Sequence, residues 1–235
     1  MMTPAEFAVA MEATWPPAAT HRTGPWTIRD GQGGGKRVSA ASAEGDWTDD
    51  DIPMAEAAMQ DLSQDLLFVI WPWDLMLDDA LASKGYAKID PVIGYAAPVT
   101  AFDAPQRMTA FPHWPPMEIA LGLWAEADIG PGRLAVMHRV TGPKTAILGR
   151  TADHPSGIAF TAIHDNVALI HALEVRPDHR RQGAARNILN AAAHWAAENG
   201  ADRLALAVTQ ANQPARALYS SLGMQPVGHY HYRSK

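Results

Sequence analysis

Arg180-Arg181-Gln182-Gly183-Ala184-Ala185-Arg186 is the stretch of this 235-residue chain whose residue types and spacing are best suited to chemistry. It follows an apolar run that ends at Val175 and precedes a run of helical periodicity. The first N–H groups of a helix have no partner inside it, and they lie at the positive end of its dipole. Phosphate oxygens fit such a place. Gly183 and the small Ala184 and Ala185 would let a pyrophosphate approach the main chain, and guanidinium forks suit phosphate geometry. On charge alone these residues read as a solvated turn. The strand before them and the small residues at the helix start favour the phosphate reading.

Other candidates are weaker. The glycines of Asp30-Gly31-Gln32-Gly33-Gly34-Gly35 are not followed by a helix start, which a phosphate cradle needs, so they read as a flexible turn. His164, His194, His229 and His231 suggest a metal, and His229 and His231 would share one face of a strand. Without a third clustered ligand they read as structural, and no metal is expected. The chain has no cysteine, which excludes disulfides, thiolate metal sites and a Cys nucleophile.

The elements that must position the arginine loop can be traced outward. Val167 to Val175 reads as a strand joined to Ile158–Ile163 at His164-Asp165-Asn166. A long helix is expected from about Gly183 to Glu198, with Ala185, Ile188, Leu189, Ala192 and Ala196 as its apolar stripe. Leu204–Val208 reads as a buried strand, Pro214–Leu222 as a short helix ended by Gly223, and Val227–Arg233 as a last strand. Upstream, helices are expected at Pro4–Ala13, Ile52–Leu62, Leu75–Ser83 and Met117–Glu126. Strands are expected at Leu66–Trp71 and Tyr86–Val99, the latter broken near Pro91. Trp26–Arg29 and Lys36–Ala40 read as a hairpin around the glycines. Arg133–Met137 and Thr145–Leu148 are short apolar runs. Thr100–Pro116, rich in Pro and aromatics, reads as a linker or domain boundary. Strands alternating with helices imply an α/β sheet with helices packed on it.

The spacing Arg180-x-x-Gly183-x-Ala185, set after Leu173-x-Val175-x-Pro177 and before a long helix, resembles the acyl-CoA signature of the GNAT acetyltransferases. Asn212, Pro214, Ala215, Ala217, Leu218, Tyr219 and Leu222-Gly223-Met224 continue the resemblance, which covers roughly Thr145 to Arg233. It implies a mixed, mostly antiparallel sheet flanked by helices and acetyl-CoA as co-substrate. Main-chain groups of Leu173, Glu174 and Val175 would meet the pantetheine arm. The loop Arg180, Arg181, Gln182, Gly183, Ala184 and Ala185 would take the pyrophosphate, with Arg186 nearby. Asn212 would help hold the pantetheine, and Tyr219 would protonate the leaving thiolate. His171, two residues before Leu173, would share its face on a regular strand and is a candidate base. Glu174 faces the other way unless a bulge re-aims it.

Leu77–Tyr86 is similar to Ala215–Met224: both read helix, glycine, strand. This suggests a tandem arrangement, with residues 1–104 a degenerate GNAT-like unit and 105–235 the acetyltransferase domain. No Arg-x-x-Gly-x-Ala loop precedes the first of these helices, and Leu81 stands where Tyr219 would be, so no CoA is expected there. The implied function is N-acetyl transfer to a primary amine of a small molecule or protein. The alternative is a non-catalytic acyl-CoA sensor or scaffold. A net charge of −6 argues against nucleic acid. The longest apolar runs fall short of a bilayer span, and the N-terminus lacks signal-peptide features, so a cytoplasmic location and no membrane partner are expected.

Overall fold

A computed structural model describes residues 2–235. The chain opens with helix α1 (Pro4–Thr14), whose first turn is closed by a Thr3–Glu6 capping box. A small antiparallel sheet follows: β1 (Ala19–Thr23), β2 (Trp26–Asp30) and β3 (Ser42–Ala43). Then come α2 (Ile52–Asp61), β4 (Leu67–Ile70), α3 (Leu75–Ser83), β5 (Ala87–Pro98) and β6 (Ala110–His113). The rest of the chain is α4 (Glu118–Glu126), α5 (Pro131–Arg139), β7 (Lys144–Thr151), β8 (His154–His164), β9 (Val167–Val175), α6 (Ala184–Glu198), β10 (Arg203–Thr209), α7 (Gln213–Ser221) and β11 (Gln225–Ser234).

Eight strands form one sheet in the order β4-β11-β5-β10-β9-β8-β7-β6. All neighbours are antiparallel except β9 and β10. The sheet therefore takes strands from both sides of residue 104, and β5 lies between β10 and β11. The two segments that look alike in sequence become neighbours. α3 turns at Gly85 (φ +84°) into β5, α7 turns at Gly223 (φ +79°) into β11, and the two strands pair with each other.

Strand alternation divides the core between two faces. On β10, Leu204, Leu206 and Val208 meet Ile188, Leu189 and Ala192 of α6. Ala205 and Ala207 face the side covered by Phe7 and Met11 of α1. α4 and α5 extend that second layer with Leu123, Trp124, Val136 and Met137 over Ile158 and Phe160 of β8. α1 lies close to the sheet because β5 carries Gly94 beneath it; a Cβ there would stand 2.6 Å from the Phe7 ring. α2 and α3 pack with Trp26, Ile28, Phe68 and Ile70 around the β4 end.

Five expectations are corrected. The N-terminal hairpin is β1–β2, turned at Gly24, and Lys36–Val38 is a 3₁₀ turn rather than a strand. β1, Ala-Thr-His-Arg-Thr, is an exposed edge strand with no apolar alternation to announce it. Arg133–Met137 belongs to α5, whose start is marked by Pro131 in its first turn. The expected linker contains β6, which pairs with β7. Ala185 is half-buried at the helix start, and Ala184 takes its place in the core. The break expected near Pro91 is a bulge within one strand: Asp90 has φ +44°, and the β5–β11 register shifts beside it.

Candidate active site

β9 and β10 pair in parallel only from Arg203↔Val167 to Leu206↔Ile170. Beyond that point β10 continues on β5 alone, while β9 continues on β8, so the two strands splay. A cleft of about 690 Å³ opens at the splay, walled by the end of β9, the start of α6 and one face of α7.

The arginine loop folds as its glycine requires. Arg181 and Gly183 both have positive φ, +62° and +86°. Gly183 is the N-cap of α6 and offers no side chain to its first turn, which leaves the early N–H groups free for an anion. A Cβ on Gly183 would meet no protein atom within 4 Å, so the space before the helix is open. Arg180, Arg181 and Arg186 line the cleft. Arg186 donates to Ser221 Oγ at 2.9 Å and ties α6 to α7. Gln182 alone of the loop lies off the cleft lining, its amide donating to the Asp178 carbonyl at 2.9 Å.

The end of β9 is shaped by a bulge. Ala172 has φ +50°, and the β8 register shifts there, with Phe160 opposite His171 but Ile158 opposite Glu174. The extra residue reverses the alternation expected from a regular strand. Leu173, Glu174 and Val175 all line the cleft, and His171 does not. His171 is instead buried on the α1 side against Trp15 and Phe160. Its Nδ1 accepts from Arg37 Nη1 at 2.8 Å, because a guanidinium can only donate. Its Nε2–H then donates to Thr14 Oγ1 at 2.9 Å, and that hydroxyl donates to the Ala10 carbonyl at 2.7 Å. Burial, with the charge of Arg37, holds the His171 pKa well below 6.5. The candidate base from the sequence is thus a neutral ring with both nitrogens occupied, turned away from the cleft.

Glu174 takes the position that a regular strand would deny it. Burial raises its carboxyl above the ordinary value, and Arg180 and Arg133 pull it part of the way back. Tyr219 lines the same cleft from α7, and burial together with the charge of Glu174 pushes its hydroxyl up to about 12. It is therefore a neutral phenol able to give a proton. Asn212 caps α7, its Oδ1 accepting from the Ala215 N–H at 3.2 Å, which leaves its NH₂ group free at the cleft edge.

Pro214, Ala217, Leu218 and Ser221 also line the cleft and were not among the expected site residues. Their spacing, i, i+3, i+4, i+7, marks one helix face and was the available signal. His179 lines it too, from the turn before the loop, where no sequence pattern marks it.

The fold is that of a known class. Residues 124–224 match the model of the acetyltransferase (GNAT) family. That segment is a GNAT acetyltransferase domain, and the chain carrying it is an acetyltransferase. Among relatives, the chain is 25% identical over 234 residues to the uncharacterized N-acetyltransferase YobR of Bacillus subtilis (strain 168), covering 95% of each. Among solved structures it resembles a GCN5-related N-acetyltransferase from Kribbella flavida, with TM-score 0.75, 19% identity, and 100% of this chain and 96% of that one covered. It also resembles a tandem GNAT protein from the clavulanic acid biosynthesis pathway, with TM-score 0.62, 15% identity, and 96% and 86% covered. At these identities the two structures show the fold. The family uses acetyl-CoA as co-substrate. No helix among the described residues is long and apolar enough to cross a membrane.

Proposed function

We propose that this chain transfers an acetyl group from acetyl-CoA to an amine of a small molecule or peptide, by direct attack of the amine on the thioester. Residues 1–104 would be a degenerate GNAT-like unit that walls the acceptor side and lends β5 to the sheet of a transferase unit of residues 105–235. One observation carries this reading: the uncapped start of α6, the edge of β9 that β10 leaves uncovered and the buried Tyr219 all open on one cleft.

The residues present fit a CoA ester. Gly183 leaves room for a pyrophosphate against the free N–H groups of α6, with Arg180, Arg181 and Arg186 to balance its charge. The free main-chain edge of Leu173-Glu174-Val175 and the NH₂ of Asn212 would take the amide groups of the arm. Bound there, the thioester supplies the acyl carbonyl. A free N–H of β9 would stabilise negative charge on the carbonyl oxygen. Glu174, with its raised pKa, would accept a proton from the incoming ammonium and pass it to water. As the N–C bond forms and the C–S bond breaks, Tyr219 would give its hydroxyl proton to the thiolate and recover one from the acylated nitrogen through water. The presence of both groups favours an enzyme over a sensor, which needs neither.

The test is release of free CoA from acetyl-CoA across a panel of amines. Turnover of at least one amine is expected. Tight acetyl-CoA binding with no turnover across the panel would favour the sensor reading instead.

A further inference from the structure

A second cavity, of about 140 Å³, lies on the opposite face of the sheet beneath α1. Trp15, Trp71, Tyr230 and Tyr232 form its walls, and Glu12, Arg29 and Arg37 are its charged groups. Glu12 and Arg29 are matched to each other: Nε and Nη2 of Arg29 reach the two carboxylate oxygens at 2.9 and 3.0 Å. Arg37 has no such match. Its Nη1 donates to His171, its Nε is buried without a partner, and among the described residues no Asp or Glu forms an ion pair with it. The tyrosine hydroxyls of Tyr230 and Tyr232 face it, and its guanidinium carbon lies 6.0 Å from the Trp15 ring centre. Arg37 as a whole is half-buried, with its Nε enclosed; a guanidinium partly withdrawn from water with no anion beside it is costly, so its place here suits an anion that arrives from outside.

The position of the cavity says when that anion arrives. The proposed CoA cleft occupies the α6–α7 side, which leaves the α1 side of the splay for an acceptor amine. Arg37 is fixed on that side by His171, which is held in turn by Thr14 of α1. His171 stands on β9 three residues before Glu174, at the near end of the splay.

We propose that Arg37 binds a carboxylate of the acceptor, so that the acetylated substrate is a small amino acid bearing both an amine and a carboxylate. This rests on the acetyl-transfer reading above. One unpaired guanidinium balances one negative charge, which a carboxylate carries and a phosphate monoester exceeds. The cavity holds a carboxylate on a short stem against aromatic walls. It is too small for the surface of a folded partner.

The test compares free L-amino acids, β-alanine and 4-aminobutyrate with their amides at saturating acetyl-CoA. Both CoA release and the melting temperature of the CoA-saturated protein are read. At least one acid should exceed its amide in kcat/KM by roughly 10²-fold or more, because the amide leaves the half-buried guanidinium without a counter-charge. The acids, and not the amides, should raise the melting temperature. In Arg37→Met the preference should collapse to within a few-fold, through KM, with the acetyl-CoA Kd unchanged. Arg37→Lys should keep part of it, since it retains a charge and a donor for His171 but loses the fork. If Arg37→Met does not fold, Arg37→Lys alone decides, by a preference smaller than that of the parent. Equal response to acid and amide in both assays would overturn the proposal, as would a full preference in the variants. Acid-specific stabilisation without turnover would support the carboxylate site while removing the transferase reading.

Discussion

At the scale of single residues, the proposed chemistry divides the proton work between Tyr219 and Glu174. Tyr219→Phe keeps the ring and its packing on Tyr95, whose centre lies 5.9 Å away, and removes only the hydroxyl. If that hydroxyl protonates the thiolate, kcat should fall by roughly 10²-fold or more with little change in acetyl-CoA affinity. Steady-state rates beside a binding titration would show it; a fully active Phe variant would remove Tyr219 from the chemistry. Glu174 has a folded pKa raised by burial, so its carboxylate form gains as pH rises. The kcat/KM profile should therefore have an acidic limb above the ordinary carboxylate range, and Glu174→Gln should lower activity and erase that limb. Because the folded state holds this proton more tightly than the unfolded one, ionisation at neutral pH opposes folding. The Gln variant should thus melt no lower than the parent at pH 7, whereas a residue needed only for structure would lower it. Of these two residues, Tyr219 was legible from its place in a motif. Glu174 was legible only conditionally: the bulge that turns it into the cleft lies at Ala172, a residue type that announces no positive φ.

At the scale of elements, helices with a sharp start or a glycine end were legible, because capping and propensity are local. α3 and α6 fall where periodicity and glycine place them. β1 was not legible, since an exposed edge strand has no buried face to impose alternation. Nor was the attachment of α1 to β9, a contact between residues 157 positions apart carried by Thr14 and His171. That contact should make stability sensitive to pH. The folded pKa of His171 is held well below 6.5, so its contribution is present above that pH. It is lost as pH falls from 6.5 toward the folded value, because the unfolded chain takes up a proton that the folded chain does not. His231, also depressed by burial despite its Asp78 partner, acts in the same direction. Melting temperatures should fall as pH drops below about 6.5, and His171→Gln should flatten the slope without abolishing it. An unchanged slope would mean that the ring is protonated in place.

For the whole molecule, the interleaved sheet is the dominant fact. β5 makes ladders with β10 from Arg203↔Pro98 to Thr209↔Val92 and with β11 over most of its length. Residues 105–235 expressed alone would present β10 and β11 with unsatisfied edges and an uncovered α1 face, and they should not give a cooperative melting transition. A stably folded fragment would show that the ladders of β5 are dispensable. The sequence likeness of Leu77–Tyr86 to Ala215–Met224 pointed to the two helix–glycine–strand units but not to their pairing, since strand partners are set by the three-dimensional fold. Calorimetric titration of acetyl-CoA into the parent and Gly183→Glu reads whether the start of α6 holds a CoA ester. The variant places a carboxylate where the pyrophosphate should lie, in space empty of protein atoms and at a φ of +86°, so some loss of stability is expected while the fold is kept. Saturable one-to-one binding to the parent is expected, and none to a variant that still melts cooperatively. Equal binding by both would contradict it.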